Sequence, residues 1–177
     1  MDYTSSAGKL EAYMRLCVPH MITLVFLLLN VSAVTFSFAK AMKPDFLLIA
    51  VYYWAIYRPT LTPPAFIFLL GIALDFLSGA PTGFYALTYV TAHWITRNQR
   101  TFLMGQPFIT LWLGFAFVAL VAGMLQWGIY AITKMSLPGI LPLGISFGAS
   151  IFLFPPIVLP LFLIHRILPG TPQETLR

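Results

Sequence analysis

Six stretches of this chain carry no charged residue: 16–39, 46–57, 59–74, 76–96, 101–133 and 135–165. A charge at the centre of a bilayer costs about 2.5–3.5 kcal/mol on insertion scales, so long uncharged apolar runs are what a membrane selects. A helix rising about 1.5 Å per residue needs about 20 residues to cross the hydrocarbon core. The first and fourth runs have that length, and the last two hold a helix plus an interfacial piece. Charge content leads to the same conclusion. Only 8% of the residues are charged and 59% are apolar, against about 25% charged in a soluble domain. Five acids and ten bases leave most of the exterior to lipid. The chain is therefore expected to be an all-α integral membrane protein, a compact bundle of about six transmembrane helices at 16–165 between tails at 1–15 and 166–177.

The second and third runs are the short ones. With Lys43 and Arg58 extending their stems from the two ends, the second reaches 41–58, a workable span. Pro59, Pro63 and Pro64 then mark a break. The third helix is expected to start at Pro63 or Pro64, where the first turn has no use for the missing N–H, and to run to Leu77. Pro107 marks the start of the fifth helix in the same way, predicting 108–132, with 101–106 along the interface. The rival to six spans is a re-entrant pair formed by the second and third runs.

Lys9 and Arg15 precede the first run, and Ala39-Lys40-Ala41 resembles a cleavage site, as in a signal peptide. The apolar core at 16–39 exceeds the roughly 7–15 residues of a signal core, so an uncleaved first helix is expected. With six spans and the N-terminus inside, the inner side carries Lys9, Arg15, Arg58, Arg97, Arg100, Arg166 and Arg177, and the outer side Lys40, Lys43 and Lys134. That bias puts both termini in the cytoplasm. Tyr57 and Trp94 near inner bases, and Trp127 and Tyr130 near Lys134, are placed as interfacial anchors. The ten bases form no run of the kind that tracks nucleic acid, and one cysteine, Cys17, excludes a disulfide within the chain.

The most informative segment is 70–87, where Asp75 ends one apolar helix, a glycine and proline turn follows, and another helix begins. A carboxylate at a helix C-terminus meets the negative end of the dipole, so something must compensate it. The free N–H groups opening the next helix, near Pro81 to Phe84, are suited to do so, which reads Asp75 as a tie between the third and fourth helices. Contact with a partner protein or a polar cavity is the other reading. Proton transfer is disfavoured because no second intramembrane acid forms a relay.

Gly71, Asp75, Gly79, Pro81, Gly83, Ala86 and Leu87 carry a resemblance to a known family, the rod shape-determining protein MreD. Upstream, Pro44, Asp45, Tyr52-Tyr53-Trp54, Arg58 and Pro59 are similar to that family's second helix, and Thr82 stands where leucine is usual. The resemblance implies five or six spans in the bacterial inner membrane and a place in the cell-elongation peptidoglycan machinery. It also implies the partners MreC, MreB filaments, the RodA glycosyltransferase and an elongation-specific penicillin-binding protein, with membrane lipid around the protein and no nucleic acid. Gly71, Asp75, Gly79, Pro81 and Gly83 are the structural or partner-contact candidates.

Gly144 and Gly148 form a GxxxG expected to serve internal packing. Pro155, Pro156 and Pro160 are expected to bend the sixth helix, and Gln126 to bond between helices. His20, His93 and His165 fall near inner helix ends and are too scattered for a metal motif. No nucleophile and base pair, phosphate loop or metal cluster is visible, so neither catalysis nor a cofactor is expected. The alternative function is the substrate-binding membrane subunit of an energy-coupling-factor type vitamin transporter. That class needs several convergent polar groups near the outer face, and only Asp75, Gln126 and nearby hydroxyls are available.

Overall fold

The computed structural model describes residues 19–32, 44–60, 62–135 and 139–167, and these form six helices with no strand among the described residues. They are α1 Pro19–Ser32, α2 Phe46–Tyr57, α3 Pro64–Ser78, α4 Phe84–Leu103, α5 Phe108–Lys134 and α6 Ile140–Ile167. The expected N-terminal tail, Cys17, the outer segment with Lys40 and Lys43, and positions 168–177 of the C-terminal tail lie outside the described residues.

The shortest uncharged run forms the centre. Every residue of α2 from Leu47 to Ile56 is buried, as a helix that is apolar all round must be. It packs against α4, α5 and α6. Tyr52 anchors it there: its hydroxyl donates to the Leu111 carbonyl at 2.9 Å, and its ring meets Phe115 of α5 and Phe154 of α6 edge-on. Phe115 and Phe154 in turn stack at 4.5 Å. The helix ends at Tyr57, because Pro59 disfavours the α conformation at Arg58 before it. α3 starts at Pro64 after an extended Pro63 and packs on α4, which also contacts α2 and α5. α1 reaches α3 through His20 against Phe66.

α5 and α6 are long and apolar enough to cross a membrane, and only 28% of each spanning window is buried in the protein. The tryptophan of α5 at 112 donates from Nε1 to the Ile151 carbonyl of α6 at 2.9 Å.

Three helix-level expectations are corrected. α4 begins at Phe84, after the turn, and continues past Arg97 and Arg100 to Leu103, so 101–103 are helical and not a separate interfacial piece. A charge does not end a helix whose long side chains can reach polar surroundings, and Arg100 donates from Nε to the Ile56 carbonyl at 2.6 Å. Gly144 and Gly148 are exposed, and a Cβ built on either meets nothing within 4 Å. Among the described residues the GxxxG therefore packs against nothing and lines an open groove between α5 and α6. Gln126 is buried, yet its Nε2 has no hydrogen-bond partner among the described residues.

Candidate functional site

Asp75 lies in the last turn of α3 with no exposed surface. Its Oδ2 accepts the Gly83 N–H and its Oδ1 the Tyr85 N–H, both at 2.7 Å. The carboxylate thus takes two of the orphan donors at the start of α4 and sits at the positive end of that helix. Its backbone carbonyl accepts from Ala80 at 3.0 Å as α3 closes. The chain between reverses through Gly79 at φ +68° and Gly83 at φ +95°, a region in which an L side chain is strained. The Pro81 carbonyl accepts from Phe84 at 3.0 Å. Thr82 is exposed at this turn, which accommodates a polar residue there.

Gly71 is needed for a different reason. A Cβ there would lie 2.3 Å from the Ala86 Cα and 2.6 Å from its nitrogen, so α3 and α4 touch backbone to backbone one turn below Asp75. Gly71, Asp75, Gly83 and Ala86 therefore form one contact, while Leu87 points outward.

A second carboxylate completes the arrangement. Asp45 caps α2 by accepting the Leu48 N–H at Oδ1, 3.0 Å. The same carboxylate accepts from Asn30 Nδ2 of α1 at 2.9 Å and from the Tyr89 hydroxyl of α4 at 2.9 and 3.1 Å. The Asp45 N–H donates to Ser150 Oγ of α6 at 2.8 Å. Four helices converge on this residue. The two knots are also linked to each other along α4, because Tyr85, whose N–H is held by Asp75, stacks its ring on Tyr89 at 5.8 Å.

In the sequence Asp45 stands out only within the family resemblance around α2, and nothing there marks Asn30, Tyr89 or Ser150. One local signal was present, an aspartate immediately before an apolar helix, which is a strong N-cap residue. The opposite end of the bundle, where α2 and α4 finish, carries Arg58, Arg97 and Arg100. Among the described residues, no three His, Cys, Asp or Glu side chains come together to hold a metal. Both carboxylates are occupied by protein donors, so what this arrangement does physically is fix how α1, α2, α3, α4 and α6 meet.

Comparison with curated proteins and with solved structures gives no match. Residues 12–164 match the family model described as rod shape-determining protein MreD. With that match spanning most of a chain whose described part is all helical and whose α5 and α6 can cross a bilayer, this protein belongs to the MreD family of rod shape-determining membrane proteins.

Proposed function

We propose that the protein is a non-enzymatic, multi-pass component of the bacterial inner membrane, with six spanning helices and both termini in the cytoplasm. It binds MreC and supports assembly of the cell-elongation peptidoglycan machinery, reaching MreB, RodA and an elongation-specific penicillin-binding protein through MreC. The observation that carries this reading is where the polar groups go. Asp45 and Asp75 are the only acids among the described residues, and both are used up internally. What α5 and α6 turn outward is apolar, including Leu113, Phe117, Leu120 and Met124 on one and Phe152 and Leu159 on the other. Such a surface meets lipid or another membrane helix. At 12 residues α2 is about 18 Å long, and its enclosure by protein instead of lipid supports its role as a short span. Gly71, Asp75, Gly79, Pro81 and Gly83 act in this account as the hinge-free joint that presents the bundle to its partner.

The test is recovery of MreC with the tagged protein from gently solubilised membranes. MreC in the eluate supports the proposal. Its absence, with a vitamin found bound by mass spectrometry, favours the transporter-subunit reading instead.

A further inference from the structure

α4 has a second face that takes no part in the two carboxylate knots. Val90, Thr91, Trp94, Arg97 and Asn98 recur at spacings of three and four, so they share one side of its last turns. Together with Pro64 and His93 they line an open cleft beside the start of α3. Its lining is apolar at Pro64, Val90 and the indole of Trp94, which is 63% exposed, and polar at Arg97 and Asn98. Among the described residues no carboxylate lines the cleft. Asp45 and Asp75 bond elsewhere, so Arg97 has no carboxylate partner among the described residues.

The cleft therefore offers a fixed cation, a carboxamide and an apolar stretch ending in an exposed tryptophan.

We propose that this cleft binds the headgroup of an anionic phospholipid of the phosphatidylglycerol type, with Arg97 and Asn98 on the phosphate and Val90 and Trp94 along the glycerol ester. The proposal rests on reading α4 as a span whose last turns reach the cytoplasmic leaflet. A guanidinium matches phosphate oxygens bidentately, and basic pockets between helices on the cytoplasmic side are where anionic headgroups dock. Tryptophan prefers that depth.

The experiment uses the full chain, purified and delipidated, titrated with phosphatidylglycerol in micelles while native mass spectrometry counts bound lipid. Phosphatidylcholine and soluble glycerol 3-phosphate are the comparison ligands. One phosphatidylglycerol should bind about tenfold or more tightly than phosphatidylcholine, the scale of a charge-assisted contact. Arg97→Gln, at an exposed position, should abolish that preference, and Arg177→Gln, which lowers net charge equally, should leave it. Undiminished binding in Arg97→Gln, or an equal loss in Arg177→Gln, overturns the site. Equal binding of glycerol 3-phosphate overturns the assignment to lipid. None of these readouts depends on MreC or on cell shape. A reporter locating the α4–α5 turn outside the cell would refute the topology while leaving the titration intact.

Discussion

Replacing Asp75 separates a structural tie from a partner contact, and the geometry sets the order of the variants. Asp75→Leu removes both acceptors and leaves the N–H groups of Gly83 and Tyr85 without them. A buried unsatisfied donor costs about 1–3 kcal/mol. Gly83 and Tyr85 are only half-buried, which lowers the two-group total to about 2–4 kcal/mol. Asp75→Asn is a partial lesion despite its matching shape. The two N–H groups use different oxygens, whereas a carboxamide offers one acceptor and turns an NH₂ toward the other donor. It should keep one uncharged bond and fall between wild type and leucine. At this chain length 1 kcal/mol moves a melting temperature by about 2–4 °C, so Asp75→Leu should melt on the order of 10 °C lower. The assay is thermal unfolding of each purified variant in one detergent, alongside MreC binding and rescue of rod shape. Asp75→Leu melting with the wild type while losing MreC would refute the tie and make Asp75 a contact residue. Unchanged melting, binding and shape would make it incidental.

Gly71→Ala sets two effects against each other. Helix propensity favours alanine by about 0.5–1 kcal/mol, but a Cβ 2.3 Å from the Ala86 Cα forces backbone apart at about 1–3 kcal/mol. Net destabilisation in the same melting assay is expected, and a stabilised variant would contradict the close approach. Tyr89→Phe removes one donor from Asp45, and hydrogen bonds to charged groups contribute about 1.5–3 kcal/mol, so it should melt lower while keeping its helical circular dichroism. For topology, a cytoplasmic reporter after Arg177 and a periplasmic reporter near Met135 should both be active. An externally accessible C-terminal tail in intact cells would rule out six spans with both termini inside.

What could be read from sequence was local. Pro64 opening α3 and Pro107 preceding α5 sit where proline geometry places helix starts. The partners of Asp75 lie 8 and 10 residues away, within one hairpin, so an acid followed by a glycine and proline turn points to its own surroundings. Asp45 is different. Its partners Asn30, Tyr89 and Ser150 are 15, 44 and 105 residues away, and nothing local links them. The outward GxxxG was unreadable for a related reason. In water, polarity marks the exposed side of a helix, but lipid is as apolar as the protein interior. Gly144 and Gly148 therefore look alike whether they face a neighbouring helix or the bilayer.

If the proposed contact with MreC is made by the apolar outward surface of α5 and α6, it lies within the membrane. The direct measurement is the affinity of the purified protein, in one detergent, for full-length MreC and for MreC truncated to remove its membrane helix. The account predicts that full-length MreC binds and that truncation weakens binding by at least tenfold, about 1.4 kcal/mol. Equal affinity for the two forms would place the contact outside the membrane and contradict the account.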